Sequence, residues 1–344
     1  MVKRRLGTAG PELTRVGLGT WAMGGPWEFG WGPADDDLSA STIRQTVERG
    51  VNWIDTAPVY GLGHAEEVLA QALEPFRIGD EVFLLTKCGR PWTREGTETR
   101  IDYDLRPESI RRECEESLRR LGIERIDLYQ FHWPDYGTGT PVEESWDAMA
   151  ELVREGKVRW TGVCNFSVEL LERCEAIHHV DSLQQPLSIL SRQARAELVP
   201  WCREHGTGVL AYSPLASGLL TGRFSLDRLQ PEDWRRRGAN FQEPKLSRAL
   251  ALVERLRAVA DRHGVGVAAL AVAWVLAVPG VTAAIVGARR PEQADAWLAA
   301  ADLALSPADV EEIEAAIAES GAGAETPPSP PGVSPERLAA VLGG

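Results

Sequence analysis

Cysteine is sparse in this 344-residue chain: five, an odd number with no Cys-x-x-Cys pair. That argues against a disulfide scaffold or a zinc ribbon, and no metal site is expected. No Gly-x-Gly-x-x-Gly stands between a strand and a helix, so the Rossmann dinucleotide fold lacks its usual mark. Long hydrophobic runs are missing too. The longest apolar stretch, 265–278, is shorter than the roughly 20 residues that span a bilayer. No signal core follows the N-terminal Met-Val-Lys-Arg-Arg. Positive charge is in deficit: Lys+Arg 37 against Asp+Glu 50 leaves a net charge of −13, which repels phosphate backbones and anionic lipid. The expectation is a reduced, cytoplasmic protein that binds neither nucleic acid nor membrane; its oligomeric state is not legible. What is present is ordinary globular material, 44% apolar and 25% charged, enough to bury a large core.

Length leaves two readings open, two ordinary domains or one large barrel. The pattern decides between them. After an N-terminal hairpin (2–6 and 13–18, turning at Gly10-Pro11), eight short β-branched or apolar runs alternate with segments of helical period. The predicted strands are 16–20, 51–55, 82–87, 126–132, 158–163, 182–185, 208–213 and 282–286. Helices are predicted over 39–49, 64–73, 107–121, 142–155, 168–177, 195–205, 247–277 (broken at Gly264) and 291–300, with an extra one over 307–318. Pro107 and Pro291 open helices where a missing N–H costs nothing; Gly50, Gly122 and Gly206 close theirs. Eight strand–helix units with no break in composition predict an α/β fold in one domain, residues 1–320. It is a (β/α)8 TIM barrel with an N-terminal β-hairpin and an extra C-terminal helix. Two irregular parts remain: a polar connection, 219–245, and a Pro/Gly/Ala-rich tail, 321–344, expected to be mobile.

Such a barrel carries its chemistry at the C-terminal ends of its strands. Three consecutive predicted strands deliver Asp55 with Tyr60 just beyond it, then Lys87, then His132. Each has an ordinary explanation: an Asp caps helices, a Lys reaches solvent, a His before Trp-Pro packs. Their coincidence on neighbouring strands is hard to assign to packing. After the last strand, Gly287-Ala288-Arg289-Arg290 leads into a helix, and a helix N-terminus beside two arginines attracts anions. Aromatic residues crowd the same rim. Of twelve tryptophans, Trp21, Trp27 and Trp31 share the first loop with Phe29, and Trp92 and Trp133 follow the third and fourth strands. Indole faces suit aromatic aldehydes and the C–H faces of sugars. The run Arg235-Arg236-Arg237 reads as solvated surface.

Five segments resemble the aldo-keto reductases, in order and spacing. They are Gly17-Leu18-Gly19-Thr20-Trp21, Asp55-Thr56-Ala57-Pro58-x-Tyr60-Gly61, Thr86-Lys87, Asp127-Leu128-Tyr129-Gln130-x-His132-Trp133-Pro134-Asp135 and Gly162-Val163-Cys164-Asn165-Phe166. The resemblance runs from the hairpin to about Ser320. It implies the same barrel and an NAD(P)H-dependent oxidoreductase interconverting aldehydes, ketones or sugar carbonyls and alcohols. Asp55, Tyr60, Lys87 and His132 match the family's catalytic tetrad. A phenol near pKa 10 is a reluctant acid at neutral pH; Lys87, held by Asp55, is expected to lower that value. His132 is expected to direct the substrate carbonyl, in a charge state the sequence leaves open. For the cofactor, the resemblance implies Trp21 at the mouth, Asn165 and Gln184 on the nicotinamide carboxamide, and Tyr212 stacked on its ring. It places the backbone from Ser213 through Leu215 to Gly218 on the pyrophosphate. Gly287, Arg289, Arg290 and Gln293 fall where the family takes the adenosine 2′-phosphate, which favours NADP(H) and leaves NAD(H) open. Trp297 stands where many relatives carry an adenine-reading Asn, so contact there is expected by stacking. Trp21, Trp27, Trp92 and Trp133 are the expected substrate residues, and 219–245 a lid. Two rival readings use the same fold: a weakly catalytic nucleotide-sensing or partner-binding protein, and an aldolase-type barrel with Lys87 as Schiff base, which Tyr60 and His132 oppose.

Overall fold

The computed structural model describes residues 1–344 apart from 28, 29, 97, 232, 324–329, 331, 343 and 344, so Phe29 lies outside the described residues. The N-terminal hairpin is β1 (Lys3–Arg5) and β2 (Glu12–Thr14), followed by barrel strands β3 (Val16–Gly19), β4 (Trp53–Asp55) and β5 (Phe83–Cys88). A second hairpin, β6 (Trp92–Glu95) and β7 (Glu98–Ile101), interrupts the rhythm. Barrel strands resume with β8 (Ile126–Phe131), β9 (Val158–Cys164), β10 (Ser182–Pro186), β11 (Gly208–Tyr212) and β12 (Val281–Gly287). All eight barrel strands are parallel, and β12 closes on β3 with Ala284 opposite Val16 and Gly287 opposite Gly19.

The helices α1 (Asp36–Glu48), α2 (His64–Leu73), α3 (Pro107–Leu121), α4 (Val142–Arg154), α5 (Val168–Glu175) and α6 (Leu198–His205) alternate with strands as predicted. The break at Gly264 separates α7 (Lys245–Arg262) from α8 (Val267–Ala277), which is buried on nearly every side. Then come α9 (Pro291–Leu298) and α10 (Pro307–Ser320). No single helix among the described residues is long and apolar enough to cross a membrane. Two elements were not predicted from the sequence. The hairpin β6–β7 escaped the sequence reading because its strands are largely polar and exposed, without the alternation that marks a half-buried strand. The tail carries a helix, α11 (Pro335–Leu342), and Arg337 donates to the Gly137 carbonyl at 2.6 Å.

The strand period of two sets what faces the barrel axis. The lower layer of the interior is Trp53, Leu85, Leu128 and Leu210, plugged from below by Leu6 and Leu13 of the hairpin. Gly17 makes room for the Trp53 indole: a Cβ there would lie 2.2 Å from the ring. The indole N–H donates to the Thr14 carbonyl at 2.8 Å. Two residues further along these strands the inward positions become polar, Asp55, Lys87, Gln130 and Tyr212, and Gln184 of β10 joins them through bonds to Asp55 and Gln130. Alternation and chain direction alone thus lift a polar layer onto an apolar floor.

Candidate active site

Asp55 and Lys87 are both almost wholly buried, and the Lys87 ammonium donates to Asp55 Oδ1 at 2.6 Å and to the Thr56 carbonyl at 2.9 Å. Its third contact is the Tyr60 hydroxyl, 3.4 Å away. Tyr60 comes from the turn after β4, where Gly61 and Gly24 lie face to face; a Cβ on Gly61 would sit 1.8 Å from the Gly24 carbonyl oxygen. That close approach binds the first loop to the tyrosine turn. The His132 ring lies edge-on to Tyr60 with centroids 5.7 Å apart, its main chain pinned by its N–H to the Cys88 carbonyl at 2.9 Å. The four predicted side chains are therefore brought together.

Their electrostatics differ from the expectation in one respect. Burial pushes the Tyr60 phenol up to about 12, and the opposing pull of Lys87 does not overcome it. Lys87 was expected to lower this value; desolvation of a phenolate in a closed barrel mouth is the larger effect. Burial is the largest single effect on Lys87 and disfavours its charge, but Asp55, through charge and hydrogen bond, and Tyr60 together overcome it, so the ammonium stays protonated. His132 is driven well below its ordinary value by burial, then by the charges of Lys87 and Arg90, so its ring is neutral at neutral pH. Its Nδ1 is buried without a partner.

A second ring of polar contacts orients these groups. Gln184 donates to Asp55 Oδ2 at 2.8 Å and to Gln130 Oε1 at 3.4 Å, so only its carbonyl oxygen is left for a ligand. Asn165 donates to the His132 carbonyl at 3.0 Å and accepts from the Tyr212 hydroxyl at 2.8 Å. Gln130 was not singled out from the sequence, although it lies two residues before His132 and so faces the same way. Its Oε1 also accepts from Ser182 Oγ at 3.2 Å.

Glu113 of α3 was missed as well. Its Oε1 accepts from the Gly89 N–H at 3.1 Å and from Ser109 Oγ at 3.4 Å, bracing the turn directly after Lys87, while Oε2 is buried without a partner. Burial pushes this carboxyl up to about 8, against about 4.3 in an unfolded chain. Between those values the native state binds the extra proton, so this group's stabilising effect is full below about pH 4.3 and is lost as pH rises through 8. Glu113→Gln is therefore expected to raise the melting temperature at pH 8–9 and to change it little near pH 4. A shift of the same size at both ends would show that the carboxyl does not titrate as described.

Among the described residues, the five non-glycine residues with positive φ (Leu62, Asn165, Ser213, Ala216 and Ser217) all follow β4, β9 or β11, around the mouth. Such strain concentrates at functional sites. The run from Ser213 to Gly218, with Leu215 half-buried within it, turns sharply past the end of β11 and forms a cradle of mostly small side chains. Gly287 ends β12 at the exposed rim. Arg290 is exposed, but Arg289 is spent: its guanidinium donates to the Trp31 and Pro33 carbonyls, and its main-chain N–H goes to Gln293 Oε1 at 2.7 Å. Arg235 was expected in solvent, yet it is nearly buried. It pairs with Asp233, donates to the Ser217 carbonyl at 3.1 Å and lies 4.0 Å over the Trp31 ring. The 219–245 connection is thus clasped to the first loop.

The tryptophans divide. Trp27 sits with its ring centroid 6.1 Å from Tyr60, and Trp21 meets Trp31 at 6.0 Å and Trp234 at 6.3 Å. Trp133 is half-buried beside His132. Trp92 instead lies over the Arg120 guanidinium at 5.6 Å, against α3. Trp297 is 1% exposed within the core, which rules out its stacking on an adenine; α9 turns that side of itself inward.

The chain matches the aldo/keto reductase family over residues 15–318 and belongs to it. It is an NAD(P)H-dependent oxidoreductase of that type, acting on carbonyl compounds. It is 36% identical to an NADH-specific methylglyoxal reductase of Escherichia coli (strain K12), covering 90% of this chain and 96% of the relative. Among solved structures it is similar to a glycerol dehydrogenase from Gluconobacter oxydans, with a TM-score of 0.84 and 36% identity over 95% of this chain and 98% of the other. An aldo-keto reductase from Klebsiella pneumoniae in complex with NADPH gives a TM-score of 0.68 and 29% identity, covering 92% and 95%.

Proposed function

We propose that this protein interconverts small aldehydes, ketones or sugar carbonyls and their alcohols with NADP(H), using Tyr60 as the proton donor. The observation that carries the reading is the Tyr60 hydroxyl 3.4 Å from an ammonium that Asp55 holds in place, beside a neutral imidazole. A bound reduced nicotinamide supplies the hydride, since no side chain can. The chain's own residues do the rest. Tyr60 keeps its proton throughout the neutral range and hands it to the developing alkoxide. The phenolate left behind faces Lys87, whose charge offsets part of its burial cost. His132, neutral, donates to the substrate oxygen and fixes its direction. Asp55 and Gln184 keep Lys87 aimed, and Tyr212 and Asn165 brace the strand ends next to it.

For the nucleotide, the cradle from Ser213 to Gly218 suits a pyrophosphate, Tyr212 a nicotinamide face, and exposed Arg290 a 2′-phosphate. Trp21, Trp27 and Trp133 are the walls for substrate. The names of the similar proteins, a methylglyoxal reductase and a glycerol dehydrogenase, support a small, oxygen-rich substrate. The NADH specificity of one and the NADPH bound to another leave the nucleotide preference to the arginines. Reduction of a panel of aldehydes, ketoaldehydes and sugars, followed at the nicotinamide absorbance with each nucleotide, tests the reading. Nucleotide binding with no turnover across the panel would favour the sensing protein.

The two arginines are expected to separate. Arg290→Ala should weaken NADPH about ten- to a hundredfold, the scale of a charge-assisted contact, and leave NADH unchanged. Arg289→Ala should weaken both alike, because it releases the first loop rather than a phosphate. Titration of nucleotide fluorescence decides; equal loss for both nucleotides in Arg290→Ala would remove the basis for NADP(H).

A further inference from the structure

The face of the barrel opposite the active site holds a cavity of about 530 Å3, bounded by the N-terminal hairpin, the turn from α8 to β12, and residues 303–305. Arg4, Arg5 and Arg15 line it together with Leu276, Val278 and Leu305. In a chain of net charge −13 this is an unusual concentration of cations. Arg5 is neutralised by Glu12 at 3.0 Å. Arg4 and Arg15 are not: among the described residues neither has a carboxylate oxygen within 4.0 Å. Their bonds go to main-chain carbonyls, Arg4 to Leu276 at 3.1 Å and Val281 at 2.7 Å, and Arg15 to Ala301 at 3.1 Å. Arg15 is 8% exposed, and its Nε is buried with no partner. Asp302, the carboxylate that acts on Arg15 from farther off, accepts the Val2 N–H at 2.9 Å.

Two buried or half-buried guanidinium ions thus line one cavity and repel one another, and Asp302 offsets this only from a distance. Buried charges are ordinarily paired, because an uncompensated one forfeits its hydration for nothing. Carbonyl oxygens satisfy individual N–H groups but do not cancel the charge. An anion entering the cavity does. The guanidinium fork matches phosphate or carboxylate oxygens, and the leucine and valine wall suits an apolar body attached to them. The volume falls within the usual range of small-molecule sites.

We propose that this lower cavity is a binding site for a small organic anion, distinct from the nucleotide and substrate sites at the other end of the barrel. Nothing in the chemistry at the mouth requires it, so it stands whether or not the proposed reaction does.

The test is calorimetric titration of the full chain with phenyl phosphate and with inorganic phosphate, at ionic strength matched by sodium chloride. Both are run in the Arg290→Ala background, which weakens anion binding at the mouth. Saturable binding is expected, with phenyl phosphate at least about threefold tighter than inorganic phosphate because its ring meets the apolar wall. Arg4→Gln should weaken both probes about tenfold or more while leaving carbonyl reduction unchanged. Arg15→Lys, which keeps the charge but loses the fork, should weaken them less and guards against misfolding of a more drastic change. No saturable heat beyond the salt control, or the same affinity in Arg4→Gln and Arg15→Lys as in the parent, would overturn the proposal.

Discussion

Tyr60→Phe is expected to lower carbonyl reduction by at least about a hundredfold, roughly 2.7 kcal/mol of transition-state stabilisation, with fold and nucleotide affinity intact. The change removes only the hydroxyl. Among the described residues the hydroxyl bonds to Lys87 alone, at 3.4 Å, and Lys87 keeps Asp55 and the Thr56 carbonyl as partners, so little stability is at stake. The wild-type pH profile is a companion observation. With the phenol pushed up to about 12, the base needed for alcohol oxidation is scarce at neutral pH, so oxidation should climb towards alkaline pH while reduction does not. Steady-state rates in both directions, with nucleotide binding measured separately, check the role. Reduction by Tyr60→Phe at the wild-type rate would falsify it.

Lys87→Met should have the second large effect, on activity and stability together. Removing the ammonium leaves the Asp55 carboxylate buried with Gln184 as its remaining side-chain partner. Breaking a buried pair costs on the order of 3–5 kcal/mol. The phenolate that forms at Tyr60 also loses its neighbouring charge, so turnover should fall by about a hundredfold or more. The double change with Asp55→Asn separates the two effects. Neutralising the stranded carboxylate should restore most of the lost melting temperature and none of the turnover. If turnover returned with stability, Lys87 would serve the fold alone.

How much of this was open to a reader of the chain varies by element. The eight barrel strands were legible because each is a short, mostly apolar run set off from segments of helical period, several of which begin at Pro or end at Gly. The four side chains at the mouth were legible because three consecutive strands end at or just before them, and because their segments resemble one family's motifs. The hairpin over 92–101 was not, since exposed polar strands carry no such pattern. Gln130 lies two residues before His132, inside the strand rather than at its end, so the strand-end criterion that selects His132 does not select it.

Other features depend on residues far apart in the chain. Gln184 and Asp55 are 129 positions apart, and Arg289 and Trp31 are 258 apart. No local pattern announces that an amide will be spent on a carboxylate, or a guanidinium on a loop carbonyl. The lower cavity belongs here too, since it joins the first fifteen residues to the segment near 276–305. Unpaired Arg4 and Arg15 look like any arginines until the carboxylates around them are placed.

By itself, then, the sequence determined the barrel, the order of its parts and which side chains reach its mouth, because these follow from strand alternation, helix period and chain direction. Only the tertiary structure decided how those side chains are charged and occupied. Tyr60 shows the reason most plainly. Beside Lys87 in the open, a phenol's pKa falls; enclosed by the barrel mouth, the same phenol loses more from desolvation than it gains from the ammonium, and it rises. The sign of that balance is set by how much water the rest of the chain excludes.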